Sequence, residues 1–294
     1  MTCVRPIRLG RHYVDYVPCG RCIACRIQKT GEWQTRLLCE MEYYKESTFL
    51  TLTYDDAYLP ADGCLDKPAL QKFFKRLRHH VKDIKHFSVG EYGDETFRPH
   101  YHSLILGWYP DDCVNVSLSS KPKFVSRLVS KLWPFGFNLV GVVEQRSIDY
   151  VTGYIRKKLY GKKAKEVYDY RTPPFQLCSK NLGLRYAKEH RDEIIKNEGV
   201  VINGRNRGIC RYFWNVLELG DRYGYEFVEG QGHYGFHKVV YEKSISHDMA
   251  AEREKVQEVE AQVKNLSDCY LVDDRHQREN NLLAKENLFK RGNL

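Results

Sequence analysis

Two runs of alternating residues leave little choice about the middle of this chain. KHFSVGEY (85–92) and the strand over 98–107, which begins RPHYHSLIL, flank the polar turn GDET. That pattern predicts an antiparallel hairpin. Side chains alternate across a strand, so His100 and His102 share one face and Tyr101 takes the other. Leu104 and Leu106 continue the histidine row, and Phe87, Val89 and Glu91 form one row on the preceding strand. If position 91 lies opposite 100, then 87 lies opposite 104. The apolar halves of both rows then meet in the core, and Glu91 falls beside the two imidazoles. A slip of one residue would turn every one of these side chains to the wrong face.

Other elements follow from spacing and caps. A helix is predicted over Ile27–Tyr44 and a strand at FLTLTY (49–54). A second helix is capped by Asp66, with Pro68 in its first turn. Its apolar positions are Leu70, Phe73, Phe74, Leu77 and Val81, while Lys72, Lys75, Arg76, Arg78 and Lys82 occupy its other faces. Ser120 and Pro122 are expected to open a helix with Phe124, Val125, Leu128, Val129 and Leu132 inward. A strand is expected over Phe137–Glu144, then a helix from a Ser147 cap to Tyr160. The order β-α-β-β-α-β-α implies an α+β fold, a central antiparallel β-sheet flanked by helices. The expected organisation is a Cys-rich N-terminal segment with a helix (1–46), a catalytic domain (47–165), an accessory region (166–244) and a charged helical tail (245–294).

Of the 294 residues, those from 121 to 165 hold 11 Lys/Arg against two acids, Glu144 and Asp149. That window alone equals the whole net charge of +9. Solvated charged faces normally mix signs, so this basic field points to phosphate. There is no apolar run near the roughly 18 residues a membrane span needs, and the N-terminus lacks the apolar core of a secretory signal. The expectation is a cytoplasmic protein with no membrane partner.

Three groups carry chemistry. A lone histidine most often satisfies a local hydrogen bond. Two at i, i+2 with a parity-matched Glu91 make a facial metal site with open positions. In YVTGYIRK (150–157), Tyr150 and Tyr154 are neighbours on a helix and share a face with Lys157, away from the apolar stripe of Ile148, Val151, Ile155 and Leu159. A phenol that attacks a phosphodiester leaves a 5′-phosphotyrosine and a free 3′-hydroxyl. Finally, Cys19, Cys22 and Cys25 offer three thiolates where tetrahedral Zn²⁺ needs four ligands. Cys3, Cys39 and His12 are the candidates for the fourth. Arg156, Lys158, Lys162 and Lys163 are expected to track a DNA backbone.

FLTLTY (49–54), GEYG with RPHYHSLI (90–105) and YVTGYIRK (150–157), in that order, resemble the HUH endonucleases, specifically the rolling-circle replication initiators of small single-stranded DNA phages. PCGRCIACR with the following GEWQTRL is similar to replication proteins of the gokushovirus branch of the microviruses. The resemblance spans about residues 17–160. It implies a metal-dependent DNA endonuclease and strand transferase that nicks and religates single-stranded DNA at a phage origin. It assigns His100, His102 and Glu91 to Mg²⁺ or Mn²⁺, Tyr150 and Tyr154 as nucleophiles, and Lys157 as their assistant. It also implies a host replication helicase and polymerase as partners, in the cytoplasm of a bacterial host. The competing reading is a non-catalytic, zinc-stabilised single-stranded nucleic-acid-binding protein with the histidines as core. Salt-sensitive binding without cleavage would distinguish it.

Overall fold

The computed structural model describes residues 3–11, 14–117, 122–157, 159–219, 224–228, 235–239 and 279–283. In chain order, β1 (Ile7–Arg11) and β2 (Val14–Val17) precede α1 (Ile23–Met41), β3 (Ser47–Thr53), α2 (Lys67–His80), β4 (Lys85–Tyr92) and β5 (Pro99–Leu106). Next come β6 (Cys113–Asn115), β7 (Phe124–Ser126), α3 (Arg127–Leu132), β8 (Asn138–Val142) and α4 (Gln145–Lys157). The rest comprises α5 (Gly161–Tyr168), β9 (Phe175–Cys178), α6 (Leu184–Glu189), α7 (Arg191–Lys196), β10 (Gly199–Ile202), β11 (Arg205–Gly208), α8 (Arg211–Val216), β12 (Gly224–Val228) and β13 (Gly235–Val239). Two compact units emerge, Thr30–Leu217 and the combination of Met1–Lys29 with Glu218–Leu294.

The larger unit is built on a seven-stranded sheet in the order β6-β7-β8-β3-β5-β4-β9, with every paired neighbour antiparallel. This is the α+β architecture expected. The sheet also takes in β9, because Phe87–Gly90 pair with Phe175–Cys178, so residues past 165 complete its edge. Most of the 245–294 segment lies outside the described residues.

Period-two alternation assigns the two faces of the sheet. Leu50, Leu52, Tyr101 and Ile105 turn to one side and are buried with Leu70, Phe73, Phe74 and Leu77 of α2. The α2 helix is capped as its sequence requires, with the Asp66 carboxylate accepting from Ala69 N–H at 2.9 Å. On the other side, Trp33 of α1 packs on Phe87 with ring centroids 4.9 Å apart, and Tyr150 of α4 packs edge-on to Phe49. Gln34 of α1 donates to Asp149 of α4 at 2.9 Å. Tyr101 faces away from the histidines, as expected: it is fully buried, its hydroxyl 3.0 Å from that of Tyr54.

Several element boundaries differ from expectation, each for a local reason. The helix expected from Ser120 begins at Arg127. Phe124 pairs with Val140 in the sheet, and Ser126 becomes the cap by accepting from Val129 N–H at 3.1 Å. Asp112 reinforces that start by accepting from the Ser126 hydroxyl at 2.6 Å; Ser120 lies outside the described residues. Ser147 sits inside the first turn of α4 rather than at its cap, and its hydroxyl accepts from Glu144 N–H at 3.2 Å, the return half of a capping box. The α4 helix stops at Lys157, short of Tyr160. The α1 helix starts at Ile23, one turn earlier than Ile27, because Arg26 N–H already bonds to Cys22 C=O at 3.0 Å.

His86, on the α2 side of β4, lies flat against Phe74 with Nδ1 2.9 Å from Ser88 Oγ. Burial, helped by the Arg78 charge, pushes its pKa down from 6.5 to about 3. The fold therefore favours the neutral ring, whereas the unfolded chain takes a proton below about 6.5. Stability from this group is complete above that pH and is lost as pH falls toward 3, with a slope of up to about 1.4 kcal/mol per pH unit. Urea denaturation between pH 7 and pH 4.5 should show a shallower loss in His86→Gln; parallel curves would mean that His86 contributes nothing to the acid sensitivity.

Candidate metal and tyrosine site

The register places Glu91 opposite His100 and Phe87 opposite Leu104, the pairing that the alternation required. Both imidazoles direct Nε2 at one carboxylate oxygen. His100 Nε2 is 2.9 Å and His102 Nε2 3.1 Å from Glu91 Oε1. The opposite ring nitrogens are held as well. His100 Nδ1 lies 3.1 Å from the Arg98 carbonyl, and His102 Nδ1 lies 3.0 Å from Thr51 Oγ1. A carbonyl can only accept, so the proton of neutral His100 sits on Nδ1 and its Nε2 lone pair faces the carboxylate. Arg98 secures the start of β5 by donating to the Tyr54 carbonyl at 2.9 Å.

The electrostatics of the triad oppose burial. Burial pushes Glu91 up, but hydrogen bonds from His100 and His102 outweigh it and hold the carboxyl below its ordinary value. Burial pushes His100 down, and the Glu91 carboxylate more than reverses that. His102 stays below its ordinary value because its burial dominates. Two nitrogens and one carboxylate oxygen, all within 4.8 Å of one another, can hold a divalent cation on one face and leave its other positions open. Fixing each ring through its second nitrogen is how proteins orient histidine ligands.

The α4 helix delivers the phenols to the same place. Ile148, Val151, Thr152 and Ile155 are buried, which turns Tyr150 and Tyr154 along the sheet face that carries the histidines. Tyr150 Oη is 3.4 Å from His102 Nε2, and the Tyr154 ring stacks on His102 at 5.7 Å, tilted by only 10°. The two phenol rings meet edge to face at 5.2 Å. Burial holds both phenols above their ordinary pKa, so they are neutral at physiological pH. Lys157 leaves them there: its ammonium sits over the Tyr154 ring at 5.0 Å and 3.6 Å from Asp94 of the hairpin turn.

Sequence reasoning missed three contributors. Thr51 reaches His102 because β3 pairs with β5 at Thr51↔His102, a register no local pattern announces. Asp94 reaches Lys157 through the turn between β4 and β5. Phe137 and Leu139 extend the site's face across β3, since Leu139 lies opposite Thr51 and Thr53 N–H bonds to the Phe137 carbonyl at 2.9 Å. Phe137 is 69 % exposed and Leu139 40 %. Gly136 makes this turn possible, since a Cβ there would stand 2.4 Å from the Thr53 carbonyl oxygen. Of the residues expected on DNA, Arg156 ends α4 beside Lys157 and Lys162 is exposed on α5. Lys158 and the Lys163 side chain lie outside the described residues.

In the smaller unit, Cys3, Cys19, Cys22 and Cys25 bring their sulfurs within 4.8 Å of one another. Cys3 is therefore the fourth member of the group; His12 lies outside the described residues, and Cys39 is a fully buried residue of α1. The amides of Arg21 and Cys22 both donate to Cys19 Sγ, at 3.4 and 3.3 Å. Gly20, at φ +71°, allows that tight turn. Cys19 N–H donates to Cys3 Sγ at 3.3 Å. Amides aimed at sulfur stabilise thiolates, the form that binds metal. Hydrogen bonding from Cys25 lowers the Cys22 thiol to about 4. Four thiols so arranged can hold a tetrahedral ion.

Residues 47–159 match the family described as replication-associated protein ORF2. The chain is 32 % identical over 225 residues to the replication-associated protein ORF2 of Spiroplasma virus 4, covering 69 % of this chain and 67 % of that protein. It is 31 % identical over 218 residues to the replication-associated protein ORF4 of Chlamydia phage 1, covering 68 % and 53 %. It is 30 % identical over 243 residues to the replication-associated protein VP4 of Bdellovibrio phage phiMH2K, covering 72 % and 76 %. No solved structure matches.

Proposed function

Since this chain belongs to the replication-associated proteins of the microviruses, we propose that it starts rolling-circle replication by nicking and religating single-stranded DNA at the phage origin. The observation that carries this reading is the convergence on His102, where one imidazole touches the Glu91 carboxylate and both phenols of α4. Nothing about a satisfied core histidine calls for two stacked tyrosines and an acid open to solvent on one side.

Glu91, His100 and His102 would hold Mg²⁺ or Mn²⁺; nitrogen donors lean toward the latter. Once bound, the ion supplies positive charge that polarises the scissile phosphate. Tyr150, whose oxygen lies nearest the ligand nitrogens, makes the first attack. Its Oη bonds to phosphorus, the P–O3′ bond breaks, the phenol proton leaves to solvent, and the departing 3′-oxygen takes up a proton. A 5′-phosphotyrosine and a free 3′-hydroxyl result. Tyr154 performs the second transfer while the first end stays attached, and reversal of the attack rejoins the strand. Lys157 steadies the negative charge that develops beside the phenols. A host polymerase extends the 3′-hydroxyl, and a host helicase opens the duplex ahead of it.

Incubated with a single-stranded circular DNA carrying the origin and with Mn²⁺, the protein should form an adduct that survives a denaturing gel, and EDTA should prevent it. Binding without any adduct would favour the non-catalytic alternative.

The four thiols of the smaller unit are proposed to hold structural Zn²⁺. The purified protein should contain roughly one zinc. Cys22→Ser should lose it, and amide protection over residues 3–29 should fall with it. Undiminished zinc in that variant would refute the assignment.

A further inference from the structure

The site's face of the sheet is supplied with what a single strand needs. Tyr150 is 49 % exposed there, and Phe137 and Leu139 stand out beside it, so bases can lie on apolar and aromatic surface next to the cut phosphate. The opposite face is different. There α2 buries Ala69, Leu70, Phe73, Phe74 and Leu77 and turns Lys67, Lys72, Lys75 and Arg78 outward, with exposed Lys82 just past its end. No acid occurs between Asp66 and Asp83. Asp66 is engaged as the helix cap. Arg76 is engaged elsewhere, donating to the Leu132 carbonyl at 3.1 and 2.7 Å; the other cations point to solvent.

We propose that this ridge of α2 grips the sugar-phosphate backbone of duplex DNA while the opposite face works on a single strand. The inference rests on the reading that the chain acts on phage DNA. Three observations carry it. The ridge has one sign of charge, whereas a merely solvated helix face mixes both. Its outer surface exposes no Phe, Tyr or Trp, so it can bind phosphates but offers bases nothing to stack on; that suits a duplex and not a single strand. And a helix layer about 10 Å thick plus the sheet itself separate it from His100, so the strand held at the tyrosines cannot also occupy it. A second stretch of nucleic acid must. Lys72, Lys75 and Arg78 follow one another at single-turn spacing, about 4.5 Å of rise each, a row along which successive phosphates of one strand can be met.

The test is the triple variant Lys72→Gln, Lys75→Gln, Arg78→Gln, which keeps the aliphatic stems and helix propensity and touches no site residue. Affinity for a 25-base-pair duplex should fall at least about tenfold near 0.1 M salt. The slope of log K against log salt should shrink by about three, one for each phosphate that no longer meets a cation. Adduct formation on a short single-stranded oligonucleotide with Mn²⁺, and the thermal melt, should match wild type. Unchanged duplex affinity would overturn the proposal, as would an equal loss of single-strand affinity. The nicking reading fails separately: if wild-type protein forms no adduct yet the variant loses duplex binding, the ridge stands without it.

Discussion

Tyr150→Phe protein should form no covalent adduct with a single-stranded origin oligonucleotide, a loss of at least about a thousandfold in cleavage rate. The substitution removes one oxygen and little else. Tyr150 is half exposed, its ring keeps the edge contact with Phe49, and α4 is anchored by Ile148, Val151 and Ile155 on its other side. A drop of this size in a protein that melts normally would therefore report the loss of the nucleophile. Tyr154→Phe should behave differently. Its ring stacks on His102 but its oxygen is not the one beside Nε2, so first cleavage should survive and the second strand transfer should fail. Quantifying adduct and rejoined product separately tells the two variants apart. An adduct in Tyr150→Phe/Tyr154→Phe would mean that another residue carries the bond.

His102→Ala should abolish adduct formation and weaken Mn²⁺ binding by about a hundredfold or more. The apo protein should lose stability as well. Glu91 is a buried carboxylate whose partners at 2.9 and 3.1 Å are the two imidazoles, and leaving it with one of them costs about 1–3 kcal/mol. The variant should also lose the rise in melting temperature that saturating Mn²⁺ gives the wild type, about 2.7 kcal/mol at 100 times Kd. Titrating Mn²⁺ in a thermal melt reads binding without any DNA present. If the shift persists in His100→Ala/His102→Ala, the ion binds somewhere else.

Both experiments address residues that were legible before any fold was known, because strands and helices impose short periods on neighbours in sequence. Alternation alone put His100, His102 and Glu91 on one face. The spacing of four put Tyr150 above Tyr154. Where an element depended on a distant partner the reading failed: Phe124 looked helical until Val140 paired with it, and β9 was invisible until β4 offered it an edge. The role of Lys157 shifted for the same reason, since Asp94 and the Tyr154 ring hold it and neither could be placed beside it from sequence.

By itself, the amino-acid sequence determined the hairpin, its register, the ligand triad, the twin phenols and the run of cysteines, since each rests on separations of a few residues within one or two elements. Only the tertiary structure decided that α4 lies across the histidine face, that Thr51 holds His102, that Cys3 joins the other three thiols, and that α2 carries its cations on the far side. Those facts depend on which surfaces bury one another, and burial is settled by the chain as a whole: many weak apolar contacts between remote segments, none specified by its own neighbours, must be satisfied together.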